Sequence, residues 1–292
     1  MNIRYSIIIA YYQQKAQLKE CLKALGQQDH DLSDTEIIIV THDLGIEDFL
    51  QAEKIELNIV LNEDQPNPYT SRNLGMRSAS GEYYCFLDCS CVPQPNWLST
   101  IANYLIASTA KIAVGRFHVT PAGFKVTDLA HPVLYLNNQK NVDRGYGVPA
   151  GQLIFHRSVI EDIGMFDDLK ISGSDIALTK EALMRGYEIH YIHNAVVDYR
   201  GHTYDDLKDK MRKYATGVVH HEAIGLSDQI RGWFPMRLSL FYQNLQYRGL
   251  ESVSWIKKTK LWVLIWRLKI YYSLKVIQAQ RARYSGASRD KE

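Results

Sequence analysis

Two short, apolar, β-branched runs near the N-terminus leave few folds open to this chain. Ser6–Ala10 and Glu36–Val40 are each long enough for one strand and too apolar for a strand with a wet face. Between them Leu18, Cys21, Leu22 and Leu25 recur at helical spacing, and Gly26 ends that helix. A weaker helical pattern at Ile46–Ala52 leads to a third strand, Leu57–Leu61. Strand and helix in alternation at this pitch predict right-handed βαβ units and a mostly parallel central sheet flanked by helices.

The stretch from Gly81 to Ser90 is the next strand and the focus of the chain. Tyr83–Leu87 is apolar or aromatic, Asp88 follows, and Pro93 and Pro95 forbid the strand from continuing. The run reads as a buried strand delivering one carboxylate to its C-terminal edge, where open α/β sheets bind ligands. An Asp that merely starts a turn would give the same pattern. Before it, Pro66 and Pro68 mark a loop. Thr70 or Ser71 is placed to cap a helix carrying Arg72, Asn73 and Gly75 to about Gly81. After it, a helix starts at Pro95 and reaches about Ile106, and Ile112–Phe117 is a strand. Residues 118–150 read as a long loop, which in a compact domain is usually functional. Gln152–Phe155 is a strand and Ser158–Ile163 a short helix. Ser174 or Asp175 caps a helix to Gly186, Glu188–Ile192 and Ala195–Tyr199 are strands, and the chain is helical from Tyr204.

At 292 residues, with 46% hydrophobic and 23% charged residues, the chain is ordinary globular material. A net charge of +2 gives no global pull toward nucleic acid, and none is expected as a partner. The opening residues carry no secretory pattern, so a cytoplasmic protein is expected. The cysteines at 21, 85, 89 and 91 lack zinc spacing and read as reduced thiols.

In order along the chain, Ser6–Gln13, Glu36–Asp43, Ser71–Gly75, Gly81–Leu98, Gly151–Phe166 and Gly173–Asp175 resemble the family 2 glycosyltransferases, inverting enzymes of the GT-A fold. The resemblance covers roughly residues 3–215. It implies a nucleotide-diphosphate-sugar donor, an acceptor hydroxyl on a glycan or a lipid-linked glycan, and a place in glycan or polysaccharide assembly. By motif position, Asp175 corresponds to the general base, although an Asp at a helix start is also a plain cap. The resemblance puts Asp88, Cys89 and Ser90 at the nucleotide-sugar site, with Arg72 a candidate nucleotide or phosphate contact, although a helix-face Arg is also a plain solvated charge. Ala10, Tyr11, Tyr12, His42 and Asp43 fall on the nucleotide side. Trp97, Gln152 and Ser174 fall at the donor and acceptor pocket, although Trp97 reads equally as plain core.

The departures from the family pattern concern metal. The family carries a second aspartate where Ser90 stands, an acid where Ser174 stands, paired acids at Thr41 and His42, and in many members a histidine near Tyr199. Mg²⁺ or Mn²⁺ prefers carboxylate oxygen, so Asp88 with Ser90 is a poor site. His202 is a candidate replacement ligand. Without metal, Lys170, Arg200 or His202 would supply positive charge. A non-catalytic GT-A-like binding or scaffold protein is the rival reading.

The C-terminal composition is different. Residues 251–292 hold ten Lys or Arg and three acids, interleaved with Trp, Tyr, Leu and Ile. Trp255, Trp262, Trp266, Ile270 and Ile277 share one helical face, and Leu261, Leu264 and Leu268 lie on the opposite one. Either the helix caps the core, or it lies in a membrane interface with residues 255–284 against lipid phosphates, at the cytoplasmic face. The expected division is a GT-A domain over 1–215, a helical region over 216–284 and a disordered tail over 285–292.

Overall fold

The structure is a computed structural model that describes residues 3–43, 45–46, 56–64, 67–119, 125–221 and 233–287. The chain forms two compact units. One comprises residues 1–118, 138–168 and 174–200; the other comprises 119–137, 169–173 and 201–292. The compositional boundary at 215 would fall inside the helix Tyr204–His221.

The first unit is built on one sheet of eight strands: β1 (Tyr5–Tyr11), β2 (Thr35–Thr41), β3 (Asn58–Leu61), β4 (Tyr83–Phe86), β5 (Cys91–Pro93), β6 (Ile112–His118), β7 (Leu153–His156) and β8 (Ile189–Tyr199). Their order is β3-β2-β1-β4-β7-β6-β8-β5. The first four in that order are mutually parallel. Strand β7 runs against both β4 and β6, β8 is parallel to β6, and β5 is antiparallel to β8. The four parallel strands therefore end at one edge, which gathers the residues after Ala10, Val40 and Leu87. The helix Pro68–Ser78 packs so closely on β1 that a Cβ on Gly75 would strike the Ile8 methyl. At the opposite edge Glu36 accepts hydrogen bonds from Ser6 Oγ at 2.6 Å and Ser80 N at 2.6 Å, tying β2 to the start of β4.

Several sequence expectations change. The helix at 68–78 is capped by Asn67, whose side chain accepts from Tyr69 N at 2.8 Å, with Pro68 at the first helical position; neither Thr70 nor Ser71 caps it. Residues 118–150 are not one long loop, because helices occupy Val126–Tyr135 and Asn138–Asp143. Pro132 lies inside the first of these, whose start is fixed by Lys125 N donating to the Asp128 carboxylate at 2.9 Å. The two strands expected at 188–199 are one. The polar His193 and Asn194 that separate them in sequence fall where the β6 register slips, between Gly115 and Arg116. The Pro93 stop also holds a short strand, because β8 supplies a partner. Most of the expected helix at Ile46–Ala52 lies outside the described residues.

The second unit is helical: Val126–Tyr135, Tyr204–His221, Leu238–Tyr247 and Trp255–Ala287. In the last helix Leu261, Ile265 and Leu268 are fully buried, so the leucine face is the packed one. Further along, Val276 clusters with Ala215 and Val219. The helix continues through residues 285–287, which were expected to be frayed. Among the described residues no helix is long and apolar enough to cross a membrane.

Candidate active site

Asp88 sits just past the end of β4, where Leu87 N donates to Ile8 O at 3.1 Å and Asp88 O closes a tight turn by accepting from Cys91 N at 2.9 Å. Its carboxylate is half-exposed and takes a hydrogen bond from Arg72 Nη2 at 2.8 Å. Arg72 itself is buried. Its guanidinium lies 5.8 Å from the Tyr69 ring centre and 6.0 Å from that of Phe166, so aromatic faces hold the cation where the helix Pro68–Ser78 meets the sheet edge. The Arg72–Asp88 pair joins two motif stretches that lie apart in sequence.

Asp175 lies in the first turn of the helix Ser174–Met184. One carboxylate oxygen accepts from Ala150 N at 3.0 Å, and the other from Ile176 N at 3.0 Å and from the Tyr69 hydroxyl at 3.4 Å. Ala150 begins a short 3-10 turn, Ala150–Gln152. The next residue, Gly151, packs against Asp88: an added Cβ would lie 2.8 Å from Asp88 Oδ2. A single turn of backbone thus supports both carboxylates, Asp175 through Ala150 and Asp88 through Gly151.

On the nucleotide side, Ala10 pairs with Val40 and Tyr11 with Thr41 at the ends of β1 and β2. Tyr12 is half-exposed, with its ring edge-on to His42 at 6.3 Å. Asp43 caps its own turn by accepting from Gly45 N at 3.0 Å, and it pairs with Lys15 at 3.7 Å. Tyr11 is buried, and burial with the nearby Asp43 charge raises its phenol above the ordinary range. The Cys89 thiol donates to Gln14 Oε1 at 3.2 Å, and burial beside Asp88 pushes it up to about 12, so it is an inert thiol. Ser90 is half-buried in the turn after Asp88.

Trp97, Gln152 and Ser174, expected on the pocket wall, are all fully buried. Trp97 Nε1 donates to Gln152 Oε1 at 3.0 Å, which locks the supporting turn from beneath. Arg200 is already paired with Glu20. Lys170 and His202 belong to the second unit. His202 stacks edge-on to His131 there, at 5.3 Å. Tyr199, where the family's histidine would stand, packs on Phe117 at 6.0 Å. Among the described residues no three His, Cys, Asp or Glu side chains come together as a metal site. Of the two positions where the family carries metal-site aspartates, Asp88 keeps a carboxylate, hydrogen-bonded to Arg72, and Ser90 offers a neutral hydroxyl, which a divalent cation prefers less.

Sequence reading did not single out Tyr69, Phe166 or Ala150. The Asn67-Pro68 cap signal could have found the first. It starts the helix at 68 and so puts Tyr69 and Arg72, three residues apart, on one face. Ala150 acts through its backbone, which leaves no mark in sequence.

The sequence profile of glycosyl transferase family 2 matches residues 6–164. The chain belongs to that family. The family 2 chain is 25% identical over 243 residues to the glycosyltransferase AglE of Haloferax volcanii, an alignment spanning 80% of this chain and 76% of that protein. It is 22% identical over 158 residues to the pre-mycofactocin glycosyltransferase of Mycobacterium tuberculosis, covering 50% of this chain and 32% of that one. The fold superposes on the mannosyltransferase PcManGT from Pyrobaculum calidifontis, solved with GDP-Man and Mn²⁺. The TM-score is 0.63 at 15% identity, over 95% of this chain and 88% of that one. It also superposes on S. aureus TarS 1–349, with a TM-score of 0.55 at 17% identity, over 99% and 92% of the two chains. The expected GT-A architecture is the one observed.

Proposed function

We propose that this family 2 chain transfers a sugar from a nucleotide-diphosphate-sugar donor to an acceptor hydroxyl with inversion at the anomeric carbon. The observation that carries this reading is the shared support of Asp88 and Asp175 by the turn Ala150–Gln152. Asp175 takes the acceptor's proton as the new bond forms. The Ala150 and Ile176 N–H groups and the Tyr69 hydroxyl fix the orientation of its carboxylate. The nucleotide lies along the ends of β1, β2 and β4, with Tyr12 and His42 beside the base and Asp88 facing the ribose. Structural relatives solved with GDP-Man or with UDP-GlcNAc support a donor of this class.

Arg72 supplies the positive charge nearest Asp88, and the donor is held by side chains without a protein-bound cation. The acceptor is a glycan or lipid-linked glycan hydroxyl, used in polysaccharide assembly. Contact with the cytoplasmic face of a membrane through 255–284 would suit a lipid-linked acceptor. A second reading, a non-catalytic donor-binding protein, is favoured by Ser90 in place of an acid.

The test is Asp175→Asn, assayed for transfer and, by calorimetry in EDTA, for donor binding across UDP-, GDP- and dTDP-sugars. Transfer should fall by about 10²–10⁴-fold, with donor affinity nearly unchanged. Full activity in the variant removes Asp175 as the base. Binding by the wild type without transfer to any acceptor supports the second reading, and binding that collapses in EDTA restores a metal site.

A further inference from the structure

The last helix of the second unit turns two faces to different uses. Its leucine face is buried, as described above. Its tryptophan face instead holds a strap of chain, residues 233–237: Trp262 Nε1 donates to Met236 O at 2.8 Å, Trp266 Nε1 to Trp233 O at 2.9 Å, and Lys269 Nζ to Phe234 O at 2.8 Å. These bonds take up three backbone carbonyls of the segment and leave the Trp233 and Phe234 side chains exposed. Trp233 is 45% exposed, Phe234 63% and Leu238 58%. Where the helix begins, Trp255 is 74% exposed, and Lys258, one turn on, lies over the half-exposed ring of Tyr242 at 5.9 Å. Large aromatic side chains are thus held out in water by a scaffold with its own hydrogen bonds, an arrangement that marks an interaction surface.

The charge around this surface selects its partner. Residues 233–287 contain ten Lys or Arg and a single acid, Glu251. Lys257 and Lys260 are exposed in the first two turns of the helix that Trp255 begins. Exposed Trp and Phe on a segment this rich in Lys and Arg suit the boundary between anionic headgroups and acyl chains, where the rings enter the interface and the cations meet phosphate.

We infer that the surface formed by Trp233, Phe234, Leu238, Tyr242 and Trp255 docks the protein on an anionic lipid bilayer without crossing it. This deepens the membrane contact proposed above. It moves the contact from the whole of 255–284 to the strap and the first turn of the last helix.

The test is co-sedimentation of the full chain, with no donor present, with vesicles of phosphatidylcholine alone or with about one-third phosphatidylglycerol. Wild type should sediment with the anionic vesicles only. Raising salt to about 0.5 M should weaken that binding. The triple variant Trp233→Ala, Phe234→Ala, Trp255→Ala should lose about tenfold or more in vesicle affinity. It keeps the strap's backbone hydrogen bonds, so its melting temperature should stay close to wild type. A second variant, Lys257→Glu with Lys260→Glu, should lose binding without touching an aromatic residue. Wild type that ignores anionic vesicles overturns the inference. So does a patch that instead drives self-association, seen as a dimer in sedimentation velocity that the triple variant dissolves. The readout needs no catalysis, so vesicle binding by a protein that transfers no sugar would remove the activity proposed above and leave the docking surface standing.

Discussion

His131 and His202 show what single residues demand of this fold. Both are carried into the second unit, where burial holds His131 well below its ordinary range and lowers His202 from 6.5 to about 4. The His131 ring meets the Tyr214 hydroxyl at 3.0 Å. Unfolded, each histidine would bind a proton near 6.5, so the unfolded chain takes up more protons than the folded one below that pH. Stability should therefore be lost as pH falls from 6.5 toward 4, the value His202 has in the folded protein. A His202→Gln variant should flatten that slope by up to about 1.4 kcal/mol per pH unit, read from urea midpoints at pH 7 and pH 5. An unchanged slope would mean that His202 is protonated in the folded protein. The sequence offered His202 as a metal ligand, because a loop histidine looks the same whether it will be buried or exposed. The places of Asp88 at a strand end and Asp175 at a helix start were legible in the local pattern, whereas the base role of Asp175 rests on the family resemblance alone. Their partners were not legible. Arg72 reaches Asp88 from another element, and Asp175 is held by a main-chain N–H.

At the scale of elements, the apolar runs were sufficient for the parallel half of the sheet, where β-branched strands buried on both faces stand out from their surroundings. They failed where composition and context disagree. The glycines and prolines of 118–150 suggested loop, yet Val126–Tyr135 is helical, with Leu129, Ala130 and Val133 buried. Tertiary burial there overrides local propensity. The turn Ala150–Gln152 is the element on which the proposed chemistry depends most. Gly151→Ala would drive a methyl into Asp88 Oδ2 at 2.8 Å, closer than a carbon and an oxygen tolerate. Because Asp88 is half-exposed, its carboxylate can swing away, so the fold should survive and the melting temperature should drop only a few degrees. The displaced Asp88 would part from Arg72, and donor affinity should fall by about tenfold, measured by calorimetry. Wild-type donor affinity in Gly151→Ala would show that Asp88 does not touch the donor.

Across the whole molecule, the chain does not finish one unit before beginning the other. It leaves the first after His118, returns at Asn138, leaves again after Asp168, returns at Ser174 and leaves for good after Arg200. Composition along the sequence cannot show such interleaving, because the switch into basic, aromatic residues marks only the last passage. The consequence is physical. The helix Val126–Tyr135 precedes the last two strands of the sheet, β7 and β8, in sequence, yet it packs on helices made from the end of the chain. Asn244 Nδ2 donates to Val133 O at 3.1 Å, and Arg248 Nη1 to Leu136 O at 2.7 Å. A chain stopped after Arg200 would keep every strand of the sheet but leave that helix with its apolar face and His131 in water. We expect such a truncation to be poorly soluble, to bind a hydrophobic dye and to lose the sharp near-ultraviolet dichroism of packed aromatics, while far-ultraviolet dichroism still reports helix and strand. Mutating Leu129 and Val133 to polar residues in the truncated chain should restore solubility, since it removes the orphaned face. A truncated chain that is soluble, melts cooperatively and binds donor as the full chain does would show that the sheet unit folds without its later partners, and that the inserted helix is only a passenger in it.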